Sequence, residues 1–166
     1  IVALEKAAPN AFQVSGDDTP SPQLAYCANH QYRACNWLRP ANSANPFCLA
    51  CQLNRTIPNL TEDGSLPAWR ELERAKKRLL YSLLRFGRPL DGKPWGKGRL
   101  SFDFIRNATT GHLDGVVTID IAEADAVEIE RQRKYFGEPY RTVLGHLRHE
   151  SGHFYWMVLV EAAGRQ

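Results

Sequence analysis

No run of this 166-residue chain approaches the roughly 20 apolar residues that a membrane-crossing helix needs. Charge of one sign is also missing. The 21 Lys and Arg face 18 Asp and Glu, and the net charge of +3 is too mild by itself to imply a nucleic-acid partner. The opening Ile1-Val2-Ala3-Leu4-Glu5-Lys6 has no initiator Met and does not have the pattern of a signal peptide. A processed start and a cytoplasmic setting are therefore expected. Only four cysteines are present, and in that setting they read as metal ligands, not disulfides. No internal repeat or low-complexity tract occurs. A hydrophobic content of 43% is enough to bury a core, which excludes a disordered tail.

The length fits one domain, or one domain with a small module. Residues 1–26 read as irregular, punctuated by Pro9, Gly16, Pro20 and Pro22. All four cysteines fall in the loop-rich stretch 27–58. A helix is expected over 66–86, with Ser65 as its cap and Pro67 in its first position. Trp69, Leu72, Ala75, Leu79, Leu83 and Phe86 form its apolar face, and Gly87 and Pro89 end it. Ten Lys and Arg against three acids lie between Arg70 and Arg99. The basic residues of the helix (Arg70, Arg74, Lys77, Arg78, Arg85) read as a solvated face. Leu100–Ile105 and Val116–Ile121 alternate like strands and could pair as a hairpin-like unit, with Val117, Ile119 and Ile121 on one face. A helix over 124–136 carries Ala126, Ile129, Arg133 and Phe136 on one side. Gly137 breaks it, and Pro139 starts a last helix that runs to about Ala163.

That last helix contains His149-Glu150-Ser151-Gly152-His153, an HExxH motif. Residues four apart share a helix face, so His149 and His153 can offer imidazole nitrogens to one zinc ion. Glu150 is placed to act as general base on a zinc-bound water and to pass the proton to a leaving amine. Gly152 costs helix stability, which makes sense if something approaches the backbone closely there. A third ligand is needed. The metzincin pattern is excluded, because Trp156 and Leu159 stand where it requires Gly and His. His146 is too far along the helix from His153 to share its ion and reads as a supporting or core residue. Glu161 could ligate only if the helix broke. His112, Asp103, Asp120, Glu123 and Asp125 stay open as candidates. The strand at 116–121 could supply a substrate-binding edge, and Tyr140, Tyr155 and Arg148 are candidates for oxyanion stabilisation.

The cysteines are spaced Cys27-x7-Cys35-x12-Cys48-x2-Cys51. Cys48-Leu49-Ala50-Cys51 is a knuckle of zinc-ribbon type, whereas the first pair is wide for one. Four thiolates on one zinc close a tetrahedral site with no position for water, so this zinc would be structural.

On these residues the chain resembles a bacterial family of zinc-binding metallopeptidases. The resemblance runs from about Tyr26 to Val160. It rests on Cys35-Asn36-Trp37-Leu38, Cys48-x-x-Cys51-x-Leu53-Asn54-Arg55-Thr56-Ile57-Pro58, Lys77-Arg78-Leu79, Phe102-Asp103-Phe104, and Thr110-Gly111-His112 with Gly115. Its strongest stretch is Gly137-Glu138-Pro139-Tyr140-Arg141-Thr142 followed by Gly145-His146-x-Arg148-His149-Glu150-x-Gly152-His153. The resemblance implies a zincin-like fold and zinc-dependent hydrolysis, with the family's third ligand, a Glu, falling on no residue of this chain.

The expected architecture is α+β: an N-terminal segment with a zinc-ribbon-like module over 1–58, and a zincin-like domain with the HExxH helix over 59–166. The expected cofactors are one catalytic and one structural zinc. The expected partner is a peptide or protein substrate, with no membrane and no nucleic acid. The alternative is a non-catalytic zinc module that recognises nucleic acid or protein through the cysteine knuckle and the basic 70–99 segment. A deaminase is excluded, because no H-x-E with a downstream P-C-x-x-C occurs.

Overall fold

A computed structural model describes residues 4–8, 11–14, 23–90, 92, 98–125, 135, 142–161 and 164. The chain divides into two compact units, Ile1–Gln52 and Leu53–Gln166.

In the first unit, β1 (Leu4–Ala8), β2 (Ala11–Val14), β3 (Leu24–Tyr26) and β4 (Leu38–Pro40) form an antiparallel sheet in that order. Leu4 pairs with Val14, Phe12 with Leu24 and Tyr26 with Leu38. This corrects the irregular reading of residues 1–26 at 4–8, 11–14 and 24–26; residues 1–3, 9–10 and 15–22 lie outside the described residues. Leu4-Glu5-Lys6-Ala7-Ala8 has no alternation of apolar and polar residues, so its strand rests on backbone pairing and not on side-chain pattern.

The second unit runs β5 (Asn54–Thr56), α1 (Ser65–Arg85), β6 (Ser101–Ile105), β7 (Gly111–Leu113), β8 (Val116–Asp120) and α2 (Val143–Trp156), which continues into a π-helical turn at Met157–Glu161. The sheet order is β5-β6-β8-β7. β5, β6 and β8 are parallel, and β7 is antiparallel to β8. β6 and β8 are therefore parallel neighbours, not a hairpin. The chain passes to the far side as β7, turns at Asp114-Gly115, and returns as β8 between β6 and β7. The loop after β6 is pinned across the end of β8. There Ala108 N–H donates to the Asp120 carboxylate (3.1 Å), and Asp120 N–H donates to the Thr110 hydroxyl (3.2 Å).

The core gathers Trp69, Leu72, Leu79 and Leu80 of α1 with Phe102, Phe104, Val117 and Ile119 of the sheet, and Leu147 and Phe154 of α2. Val117, Ile119 and Ile121 share the buried side, as their alternation requires. At the start of α1, Gly64 occupies the cap in a left-handed conformation (φ 73°). Ser65 is instead buried inside the first turn, where its hydroxyl accepts from Arg106 (2.9 Å). Gly87 ends the helix at φ 63°. Phe86, expected on the apolar face, is exposed at the C-cap. Of the expected 124–136 helix, residues 126–134 and 136 lie outside the described residues, as do 137–141. Ala124 ends a 3-10 turn instead. Among the described residues no helix is long and apolar enough to cross a membrane.

The expected solvated basic face of α1 needs one correction: Lys77 is buried. The Glu73 carboxylate, fully buried, accepts from Lys76 (2.6 Å) and Asn54 Nδ2 (2.8 Å) on one oxygen and from Lys77 (2.6 Å) on the other. Spacings of three and four residues along the helix bring both ammonium groups to one acid. Lys76 also donates to Asn54 Oδ1 and sits over the rings of Phe102 (5.7 Å) and Phe104 (5.5 Å). The cluster joins α1 to β5 inside the core. Removing one partner of a buried ion cluster leaves charge that water cannot reach, at a cost of about 3–5 kcal/mol. Glu73→Gln is expected to lower unfolding stability by that order, read from the urea midpoint of tryptophan fluorescence. A loss under about 1 kcal/mol would mean that the cluster does not carry the helix–sheet junction.

Candidate metal centres

Cys27, Cys35, Cys48 and Cys51 converge in the first unit. All are buried, none is in a disulfide, and their sulfurs lie within 4.8 Å of one another. A 3-10 turn at Ala28–His30 begins to fold back the wide Cys27–Cys35 interval, and Arg33 supplies a left-handed kink (φ 55°). Backbone N–H groups of Trp37 and Cys48 donate to the sulfurs of Cys35 and Cys27 (both 3.4 Å). The Cys35–Cys48 sulfur separation of 3.6 Å is near the roughly 3.8 Å edge of a tetrahedron with Zn–S bonds of about 2.3 Å. Between residues 23 and 52, the buried hydrophobic side chains are these cysteines and two alanines, Ala34 and Ala50. Around the four sulfurs the buried apolar side chains are small, so the donor set and its setting fit a metal ion that ties this segment together. Hydrogen bonds from Cys35, Cys48 and Cys51 pull the Cys27 thiol pKa down, while bonding to Cys27 pushes that of Cys48 up.

In the second unit, α2 begins at Thr142, whose hydroxyl accepts from Gly145 N–H (3.0 Å). A seam of Leu147, Ser151, Phe154 and Val158 is buried. At roughly 100° per residue, His149 and His153 fall on the opposite, exposed flank. Their Nε2 atoms are 3.3 Å apart and the rings are perpendicular. Two imidazoles on a tetrahedral zinc with Zn–N bonds of about 2.0–2.1 Å have nitrogens about 3.3 Å apart, so the pair fits that ion. Glu150 is half-buried between this flank and the seam. Gly152 is exposed, and a Cβ there would meet nothing within 4 Å, so the close backbone approach expected at Gly152 is absent among the described residues.

No third metal-ligating side chain joins the two histidines among the described residues. Asp103 is buried against Arg55, whose guanidinium donates to both of its carboxylate oxygens (3.2 and 2.5 Å). Asp120 accepts from Ala108 and Ala122 N–H groups. Glu123 is bonded by the Thr110 hydroxyl and by His146 Nδ1, so the sequence motif missed a Thr110–Glu123–His146 chain that braces the first turn of α2. Asp125 and Glu161 are exposed. His112 lies beside the pair, its ring nearly parallel to that of His153 (centroids 6.2 Å, 17°). Burial, and then the charge of His153, lower its pKa, against the opposing pull of Glu150 and Asp114. β8 is paired on both sides, so it is not the open edge expected at 116–121. The edge is β7, which packs against α2. Of the expected oxyanion candidates, Arg148 is exposed and Tyr140 lies outside the described residues. The Tyr155 hydroxyl donates to the Pro89 carbonyl (3.0 Å).

Residues 65–166 match the family described as "Putative zinc-binding metallo-peptidase", and residues 1–62 match a zinc-ribbon domain. Uncharacterized proteins of Mycobacterium bovis and of two strains of Mycobacterium tuberculosis are each 37% identical over 158 residues, covering 92% of this chain and 46% of their own length. The chain thus spans about half the length of the curated relatives it matches. No solved structure matches it.

The Tyr155 phenol is pushed up to about 12, chiefly by burial. The folded state keeps this proton where the unfolded chain, titrating near 10, has lost it. Its contribution is full below pH 10 and is lost as pH rises through about 12. Between pH 10 and 12, Tyr155→Phe is therefore expected to lose less stability with rising pH than wild type, measured by urea titrations across that range. Parallel losses in the two proteins would refute the assignment.

Proposed function

This chain belongs to the zinc-binding metallo-peptidase family, and we propose that it is a zinc-dependent peptidase whose centre is His149, Glu150 and His153. The observation that carries this reading is the 3.3 Å approach of the two Nε2 atoms beside a half-buried carboxylate. A zinc ion held there supplies an acidified water and a Lewis acid for the carbonyl. Glu150 takes a proton from the attacking water as the water oxygen bonds the carbonyl carbon, and the carbonyl electron pair moves onto oxygen. The C–N bond then breaks as the amine leaves with the proton from Glu150. Thr110, Glu123 and His146 hold the start of α2 against the sheet, and the outer edge of β7, unpaired among the described residues, offers backbone groups to an extended peptide. The third ligand comes from outside the described residues. The cysteine centre carries a second, structural zinc.

The nucleic-acid alternative finds less support. Lys76 and Lys77 are committed to Glu73, Arg74 is paired with Glu71 (2.5 Å), and Arg106 is near Glu62 (3.3 Å). Three cations of the basic stretch, Arg74, Lys76 and Lys77, are thus committed to acids of the same helix.

Elemental analysis should find two zinc ions per chain, falling to one in His149→Ala/His153→Ala. A single zinc unchanged by that double substitution would sink the histidine centre. Glu150→Gln should keep both ions and lower hydrolysis of labelled casein by about 10²–10⁴-fold, the usual range for losing a general base. Undiminished hydrolysis would remove Glu150 from that role.

A further inference from the structure

His112 is left without a task by this reading, although it stands beside the centre. Its setting begins in the turn. Asp114 (φ 47°) and Gly115 (φ 88°) both take positive φ between the paired strands β7 and β8, as a two-residue type I′ hairpin requires. Gly is needed at 115 for a second reason: a Cβ there would lie 3.1 Å from the Arg99 carbonyl oxygen. The turn directs Gly115 N–H to His112 Nε2, at 3.0 Å.

A ring nitrogen that accepts a hydrogen bond carries no hydrogen. In the neutral imidazole the hydrogen therefore sits on Nδ1. One nitrogen has its lone pair engaged by the backbone and the other is a donor, so His112 is unsuited to join His149 and His153 as a ligand. Among the described residues its Nδ1–H has no partner. The half-buried ring lies nearly parallel to His153, with Glu150 near enough for its charge to be felt. A donor beside a hydrolytic centre, preset by a rigid turn, has one evident use.

We infer that His112 is the hydrogen-bond donor to the carbonyl oxygen as it becomes an anion during peptide hydrolysis. The inference rests on the peptidase reading of His149, Glu150 and His153. No proton is transferred by His112; it stabilises charge, while Glu150 moves the proton. Losing one preorganised donor of this kind costs about 10²–10³-fold in kcat.

The test compares wild type with His112→Ala and His112→Asn, all zinc-loaded. The Asn side chain returns an N–H near the position of Nδ1. Three quantities are read: zinc per chain, kcat and KM on labelled casein, and calorimetric affinity for N-phosphoryl-leucyl-alanine amide, whose tetrahedral phosphoryl group mimics the anion. His112→Ala is expected to keep its zinc and its KM, to lose kcat by about 10²–10³-fold, and to bind the phosphoryl peptide at least about tenfold more weakly. His112→Asn should recover part of both. Wild-type kcat and affinity in His112→Ala would overturn the inference while leaving the peptidase reading intact. Loss of one zinc would overturn it by making His112 a ligand. A zinc-loaded wild type that neither cleaves casein nor binds the phosphoryl peptide would sink the peptidase reading itself, and His112's role with it.

Discussion

The second unit depends on the burial of one seam of α2. Leu147, Ser151, Phe154 and Val158 return to the same side of the helix at steps of four, three and four, and all are almost wholly inaccessible. Sinking that seam into the core fixes the rotation of the helix about its axis. With the rotation fixed, His149 and His153 must emerge on the other side, with Glu150 between. The same rotation brings His146 to Glu123 and His153 to the ring of His112. The polar site is thus a consequence of apolar packing.

The two units solve the problem of stability in different ways. The second has a core of large aliphatic and aromatic side chains, and it admits a buried carboxylate with two ammonium groups because each charge has a partner. The first buries, between residues 23 and 52, four thiols and a few small side chains. Sulfur–metal bonds can do there what apolar area does elsewhere, and N–H groups aimed at sulfur prepare the thiolates for that role.

Much of this was legible in the residues. The helix over 66–86, the two alternating segments and the inward set Val117, Ile119 and Ile121 follow from periodicity, and the structure places them so. What periodicity could not supply was pairing. Two strands separated by ten residues look like a hairpin until a third, three-residue strand is found to take the outside position. Gly111-His112-Leu113 is too short to show alternation. Its one local signal is the Asp114-Gly115 turn that follows. The burial of Lys77 was equally hidden, because a lysine on the flank of a basic helix reads as solvated unless the acid at Glu73 is known to face inward.

By itself the sequence determined the donor sets: four cysteines within 25 residues, and two histidines one helical turn apart with a glutamate between. Those are matters of local spacing, and a helix or knuckle imposes them wherever it forms. Only the tertiary structure decided which long-range neighbours complete the setting. It gathered Cys27 and Cys35 with the knuckle, set β7 at the sheet edge beside α2, tied Asp103 to Arg55, and turned Gly115 N–H onto His112. The reason is physical. Spacing along a helix is set by backbone hydrogen bonds over four residues, whereas contacts between distant segments depend on which faces share a core.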